Sequence, residues 1–140
     1  MNTIEKHCLT LPNDVETVDR LASFVEEVAG SHGVDLSVTL SLNLALEEAV
    51  VNIMNYAYPK GSFGKIDISA SYSDGTLIFT LCDAGTPFDP TKASNPDTLL
   101  PAEERPIGGL GIHLVRQIMD EVSYEYRDNH NILTLKKKIK

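Results

Sequence analysis

Glu48 and Asn52 are two polar side chains in a segment that is otherwise apolar. If the segment is helical, this spacing places both on one face, about one turn apart. Burying a carboxylate or an amide alone costs several kcal/mol, so each needs a hydrogen bond or a ligand. The carboxylate could act as a general base, and the amide oxygen could bind Mg²⁺. A structural interpretation stays open, with Glu48 exposed and Asn52 capping a neighbouring backbone group.

A second polar cluster runs from Asp83 to Asp89, where an apolar stretch ends. A carboxylate at the end of a strand can accept a hydrogen bond from an exocyclic amine, such as N6 of adenine. Gly85 would let a flat ring approach the backbone, because glycine has no side chain. Asp, Gly and Pro are also common turn formers, so an ordinary turn explains the same residues.

A third cluster is formed by the glycines within residues 108–111, directly before a helical pattern. Free N–H groups and the helix dipole at such a position favour a phosphate, although a glycine cluster alone is a weak signal. Residues 89–107 precede it and have no hydrophobic period, which is unusual for a connection in a compact domain. We interpret this stretch as a lid over phosphates.

The hydrophobic pattern predicts which elements hold the first cluster. Residues 3–11 are expected to form a strand, and a helix capped by Asn13 or Asp14 follows it. Between residues 36 and 58, a strand-like alternation passes into a helical period. The leucine-rich composition, with few β-branched residues and no turn between the halves, favours one long helix.

The rest of the chain predicts two hairpins and one more helix. Alternating runs on either side of Asp74-Gly75 indicate a β-hairpin. After the glycines, a helix is expected to place apolar residues as far as Val122 inward, and a final hairpin turns within residues 128–131. The order β, α, α, β, β, loop, α, β, β predicts an α+β fold. We expect a two-layer sandwich whose mostly antiparallel sheet is covered on one face by helices.

Composition limits the class of protein. The 140 residues and a hydrophobic fraction of 42% predict a single packed domain spanning residues 1–140. A net charge of −8 disfavours direct binding to nucleic acids and to membranes. The two cysteines have no metal-ligand spacing, and neither a signal peptide nor a membrane-spanning run is visible, which predicts a cytoplasmic protein. A P-loop sequence is absent, so ATP would be bound without a P-loop lysine.

In this order and at this spacing, the three clusters resemble the N, G1 and G2 boxes of the GHKL (Bergerat-fold) ATP-binding superfamily. The resemblance covers about residues 12–138. Within the superfamily the chain looks most like the anti-sigma regulatory serine/threonine kinases. The shared features are a short single domain, E-A-V-V-N at 48–52 followed by Y-A-Y-P, D-x-G-x-P-F-D-P at 83–90, and G-x-G at 109–111 before a helix.

The resemblance implies a role for each matching position. Glu48 would be the catalytic base and Asn52 the Mg²⁺ ligand. Asp83 would bind adenine, with Gly85 beneath the ring. The other implied nucleotide-binding residues are Asn55, Pro87, Gly108, Gly109, Leu110, Gly111 and Thr134.

Two of these positions depart from the common family pattern. Asn55 stands where many relatives have a basic residue facing phosphate, so Arg105 or Lys92 would have to supply that charge. Pro87 replaces a second glycine, which stiffens the loop.

The resemblance implies an ATP- and Mg²⁺-dependent serine/threonine protein kinase that acts as an anti-sigma factor. Its substrate would be a small STAS-domain anti-anti-sigma protein, a sigma factor would be a second partner, and the kinase would be a homodimer. The alternative is a nucleotide-binding regulatory module that sequesters a sigma factor or another partner without phosphoryl transfer. The presence of Glu48 favours the kinase, whereas Asn55 slightly favours the alternative.

Overall fold

The computed structural model describes residues 6–58, 63–92 and 111–139. Three α-helices and five strands follow one another within these ranges. They are β1 (Lys6–Pro12), α1 (Arg20–Ser31), α2 (Leu36–Tyr56), β2 (Lys65–Ser73), β3 (Thr76–Asp83), α3 (Gly111–Ile118), β4 (Glu121–Arg127) and β5 (His130–Lys138). Single 3-10 turns lie at Val15–Thr17 and Pro90–Lys92.

The five strands form one antiparallel sheet in the order β1-β2-β3-β5-β4. Both predicted hairpins are confirmed. Asp74 and Gly75 have positive φ angles of 49° and 79°, and Asp128 and Asn129 have 55° and 65°. Positive φ at both central residues suits the two-residue turns whose twist matches that of the paired strands.

One face of the sheet carries the hydrophobic core, and the helices cover that face. Along β3 the side chains alternate between partly buried and fully buried, and β5 shows the same alternation. Phe79 and Leu81 of β3 and Leu133 and Leu135 of β5 are at most 2% exposed and pack in one cluster with residues of all three helices. The predicted α+β sandwich is therefore confirmed, and the side chains of each strand can be assigned to a face.

The long helix predicted from residue 36 is confirmed as α2. It buries Leu42 and Leu46 but leaves Leu36, Leu40 and Leu44 exposed, which explains the misleading strand-like alternation. By length and composition α2 could cross a membrane, a test that core helices of soluble proteins also pass, and 44% of its most apolar window is buried inside the fold.

Two predicted helix boundaries are wrong. The Asp14 side chain does accept a hydrogen bond from the Glu16 N–H at 3.0 Å, but this caps a 3-10 turn rather than a helix. The Thr17 hydroxyl closes that turn by donating to the Asp14 carbonyl at 2.6 Å, and α1 begins only at Arg20. Val15 is consequently 53% exposed instead of belonging to the buried stripe.

The last helix also ends earlier than expected. Val122 belongs to β4, where it pairs with Leu135, and not to the inward face of α3. Asp120 directs the chain into the sheet, because its N–H donates to the Lys136 carbonyl at 2.8 Å and its carboxylate accepts from the Lys138 N–H at 2.7 Å. The apolar spacing of this stretch fits both periods, so the sequence pattern did not separate them.

Candidate functional site

Asp83 is a buried carboxylate at the end of β3, only 2% exposed. Its Oδ1 accepts hydrogen bonds from the Gly85 N–H and from Asn131 Nδ2, both at 2.9 Å. Oδ2 is buried and has no hydrogen-bond partner among the described residues. Burial raises the pKa of the Asp83 carboxyl, while the bonds from Asn131 and Gly85 and the nearby His130 oppose that rise. The carboxyl therefore has one occupied oxygen and one open acceptor.

Asn131, directly opposite Asp83 in the sheet, has all its hydrogen-bonding capacity used. Its Nδ2 donates to Asp83 Oδ1 and to the Thr86 carbonyl, both at 2.9 Å. Its Oδ1 accepts from the Phe88 N–H at 2.9 Å and from the Tyr124 hydroxyl. Asn131 is not among the site residues predicted from the sequence. Asn131 is a polar residue on the core-facing side of a strand, and this can be recognised only once the register of the strands is known.

The loop after Asp83 is also fixed by the end of α2. The Thr86 N–H donates to the Ala57 carbonyl at 2.6 Å, and a side chain added at Gly85 would meet that same carbonyl oxygen at 2.5 Å. The Tyr58 hydroxyl donates to the Lys65 carbonyl at 2.7 Å and accepts from the Ala84 N–H at 3.2 Å. The described contacts therefore require a glycine at position 85 because the loop packs closely against α2. They do not by themselves require space for a ring. That a ring lies over Gly85 stays a prediction.

Two further residues of the predicted site lie near this loop. Pro87 is exposed, next to Phe88, whose ring stacks on Tyr56 with centroids 5.3 Å apart. Asn55 is exposed on the last turn of α2.

Asn52 lies within α2 and is 3% exposed. Its Oδ1 has no hydrogen-bond partner among the residues that the structure describes, so it caps no backbone group there. Asn52 precedes Ala57 by about 7.5 Å along the helix axis, and Glu48 lies about 6 Å farther away. Glu48 is partly buried. Asn52 and Glu48 are four residues apart and lie on one face of α2, about one turn from each other.

A lone amide oxygen is a weak metal site by itself. Within the described ranges, no group of three or more His, Cys, Asp or Glu side chains could hold a metal ion. Hard cations such as Mg²⁺ prefer oxygen ligands and often keep one or two protein ligands together with phosphate oxygens. Asn52 Oδ1, buried and without a partner in residues 6–58, 63–92 and 111–139, fits such a shared site.

Several predicted residues fall outside the described residues. They are Gly108, Gly109, Leu110 and Arg105. Only the backbone of Gly111 and Lys92 is described, and Gly111 begins α3 as expected. The start of the predicted lid is joined to that helix, because Arg116 Nη2 donates to the Thr91 carbonyl at 2.5 Å.

Thr134 does not lie beside Asp83 in the structure, and its role at the nucleotide stays a prediction. It pairs with Thr80 and Ser123 on β5, three residues after Asn131. Because side chains alternate along a strand, an odd separation puts Thr134 on the face opposite to Asn131 and Asp83. Asn131 occupies the position beside Asp83 instead.

Sequence comparisons give the family of the chain. Histidine kinase-like ATPase domains match residues 11–137. The serine/threonine-protein kinase BtrW of Bordetella bronchiseptica is 32% identical over 95 residues, which cover 68% of this chain and 67% of BtrW. The serine-protein kinase RsbW of Bacillus cereus is 27% identical over 140 residues, covering 97% of this chain and 87% of RsbW.

A solved structure shares the fold. It contains the RsbU and RsbW domains of a Mycobacterium tuberculosis protein and matches 96% of this chain with a TM-score of 0.69 at 16% sequence identity. This chain spans 32% of that longer protein, so the likeness concerns the fold of one part of it. Together with the family match over most of its length, this shows that the chain belongs to the histidine kinase-like ATPase domain family.

Proposed function

We propose that the protein is an ATP- and Mg²⁺-dependent serine/threonine protein kinase. In this proposal it acts in the cytoplasm as an anti-sigma factor and phosphorylates a STAS-domain anti-anti-sigma protein. The observation that carries the proposal is a pair of buried oxygens, Asp83 Oδ2 and Asn52 Oδ1, that have no partner within the described residues of a chain that belongs to an ATPase family. Buried polar atoms are rarely left unpaired, so each of these two oxygens is a candidate for binding a ligand. His7 Nε2, Asn43 Oδ1 and His113 Nε2 also have no partner among the described residues, so it is the family membership that selects Asp83 and Asn52.

The Asp83 end suits adenine. When the carboxyl is ionised, its Oδ2 accepts hydrogen bonds and cannot donate them. The exocyclic N6 amine of adenine can donate such a bond. A fixed loop after Asp83 gives this carboxylate a defined position before any ligand binds. The base would therefore be recognised by a preformed acceptor.

The α2 end suits phosphates and phosphoryl transfer. Asn52 would hold Mg²⁺, which, when bound with ATP, offsets the negative charge of the phosphates. Glu48, one turn earlier, would accept the proton of the serine or threonine hydroxyl of the substrate protein. The glycines at 108–111 would donate backbone N–H groups to phosphate, as the family resemblance implies.

The partners follow from the relatives and from the resemblance. BtrW and RsbW are named as serine/threonine and serine protein kinases, which supports a hydroxyl-bearing protein substrate. A sigma factor as second partner and a homodimeric state belong to the same proposal. The competing function is a module that binds nucleotide and sequesters a partner without transferring phosphate.

Substitution of Glu48 distinguishes a kinase from a module that only binds nucleotide and a partner. With Glu48→Gln, transfer of phosphate from Mg-ATP to a purified STAS-domain partner is expected to fall by about 10²-fold or more, because the general base is lost. ATP affinity should change by less than about threefold, because the residue serves chemistry rather than binding. The measurement is intact mass of the partner after incubation, with calorimetry for ATP.

Glu47→Gln provides the matched control, since Glu47 is the neighbouring, partly buried carboxylate and contacts Asn43. Its phosphoryl transfer should stay at the wild-type rate. A wild-type protein that binds ATP but adds no phosphate to the partner would decide for the sequestering module. Normal transfer by Glu48→Gln would remove Glu48 from the role of base.

A further inference from the structure

We propose that Asn131 is a positioning residue that fixes which oxygen of Asp83 faces the nucleobase, and thereby sets a preference for 6-aminopurine over 6-oxopurine nucleotides. The inference rests on the proposed function, because it takes a purine nucleotide as the ligand. Asn131 itself acts through Asp83. It is not expected to touch the base.

The hydrogen bonds of Asn131 determine its own orientation first. If the amide were flipped, its N–H₂ group would face the Phe88 N–H and the Tyr124 hydroxyl, which both donate in the present arrangement. Its oxygen would then face Asp83 Oδ1 and the Thr86 carbonyl, which both accept. The flip would mismatch the three contacts whose partners have fixed roles, namely the Phe88 N–H, Asp83 Oδ1 and the Thr86 carbonyl, so the present orientation is preferred. The Tyr124 hydroxyl can rotate to accept as well as donate and does not decide the orientation.

The oriented amide then fixes the carboxyl of Asp83. Asn131 Nδ2 and the Gly85 N–H both donate to Oδ1. Because both donors hold the same oxygen, Oδ2 is the one left open. Rotating the carboxyl to share its bonds more evenly would break contacts that the strand register enforces.

An open carboxylate oxygen discriminates between purines by chemistry. It attracts the amine at C6 of adenine, which donates, and repels the carbonyl at C6 of hypoxanthine, which also accepts. A buried acceptor that faces another acceptor keeps its full desolvation penalty. The discrimination therefore depends on Oδ2 staying aimed at the base, which is the part that Asn131 controls.

The Asn131→Asp variant isolates this control, because aspartate has nearly the same shape. The oxygen that accepts from Phe88 and Tyr124 remains, while the two donated bonds to Asp83 and Thr86 are lost. A second carboxyl beside Asp83 also drives one of the pair to take up a proton or turn away. Both effects act on the orientation and the acceptor state of Asp83.

The experiment is calorimetric titration of the full chain with ATP and with ITP in the presence of Mg²⁺. Wild type should prefer ATP by at least about tenfold, and Asn131→Asp should reduce that ratio by about tenfold, mainly through weaker ATP binding. Asn131→Thr restores one donor towards Asp83, so its ratio should lie between the two. Thr80→Val, on the same strand as Asp83 but on the opposite face, should keep the wild-type ratio.

The outcomes are distinct. If wild type binds no ATP, the proposed function and the inference both fall. If wild type binds ATP but does not prefer it over ITP, or if Asn131→Asp weakens both nucleotides equally, Asn131 is only structural and the inference is overturned while the kinase proposal stands. If Asn131→Asp does not fold, the ratio of Asn131→Thr decides, and an unchanged ratio overturns the inference.

Discussion

The two ends of the candidate nucleotide site are built differently. At the end of β3, Asp83 is held by Gly85 and Asn131, and the following loop is fixed to both β5 and the end of α2. On α2, Asn52 is equally buried, but its oxygen has no partner in the part of the chain that the structure describes.

This difference separates recognition from chemistry. The base end is preorganised by protein contacts, so substitutions there should change stability and specificity together. At the α2 end the oxygen of Asn52 has no partner among the described residues, so substitutions there should change Mg²⁺-dependent binding and phosphoryl transfer with little effect on the fold. The following predictions test that separation.

Asn52→Leu should have the largest effect on binding. Removing the amide oxygen is expected to weaken ATP binding in the presence of Mg²⁺ by about 10²-fold, because the protein's oxygen ligand is lost. Calorimetry with and without Mg²⁺ measures the change. The free energy of unfolding should fall by no more than about 1 kcal/mol, since an unsatisfied buried oxygen is removed at the same time. An unchanged response to Mg²⁺ would exclude Asn52 as the ligand.

Asp83→Asn should weaken the binding of ATP but increase the stability of the fold. The amide replaces the open Oδ2 by a donor, so ATP affinity should fall by at least about tenfold. Because burial disfavours the charged carboxyl, the neutral variant should unfold at higher denaturant concentration. Fluorescence-detected urea unfolding and calorimetry measure the two effects. Lower stability together with unchanged ATP affinity would contradict the preorganised acceptor.

Gly85→Ala tests the contact between the loop and α2. The added Cβ would meet the Ala57 carbonyl oxygen at 2.5 Å, which is backbone and cannot turn away. The variant should lose about 1–3 kcal/mol of stability, measured by urea unfolding. Gly30→Ala is the control, because nothing lies within 4 Å of an added Cβ there and alanine favours the helix. Equal effects of the two substitutions would show that the loop is not packed against α2.

The pH dependence should be the smallest effect and has a defined sign. Burial raises the pKa of Asp83 above the ordinary carboxyl value. As the pH falls through the raised pKa, Oδ2 stops being an ionised acceptor, so ATP affinity should decrease already above the ordinary carboxyl range. Stability changes in the opposite sense: between the unfolded and folded pKa values the native state binds more protons, so this contribution to stability falls as the pH rises. Asp83→Asn should remove both trends, and their persistence in that variant would assign them to another group.

Local signals predicted the parts of the fold that local chemistry controls. The Asp74-Gly75 turn and the leucine-rich helix were visible because turn residues and helix formers act within a few positions. The start of α1 and the end of α3 could not be predicted from the apolar period. The Thr17 hydroxyl closes a 3-10 turn before α1, and the backbone hydrogen bond of Asp120 to Lys136 directs the chain into the sheet after α3.

The same limit applies to the site. Asp83, Gly85 and Asn52 could be chosen from their types and spacing, since an acidic strand end and a polar residue in an apolar helix are unusual. Asn131 could not, because its partner lies 48 positions earlier and is set by strand register. The face on which Thr134 lies could not be predicted for the same reason, as a shift of an odd number of residues exchanges the two faces of a strand.

The central claim is that Asp83 and Asn52 bind opposite ends of one Mg-ATP molecule. Calorimetric titration of wild type, Asp83→Asn and Asn52→Leu with adenosine and with ATP, each with and without Mg²⁺, tests it most directly. We predict that Asp83→Asn weakens both ligands under all conditions, whereas Asn52→Leu leaves adenosine binding unchanged and loses only the gain that Mg²⁺ gives to ATP. Loss of adenosine binding in Asn52→Leu, or a Mg²⁺-dependent gain that survives in it, would contradict the account.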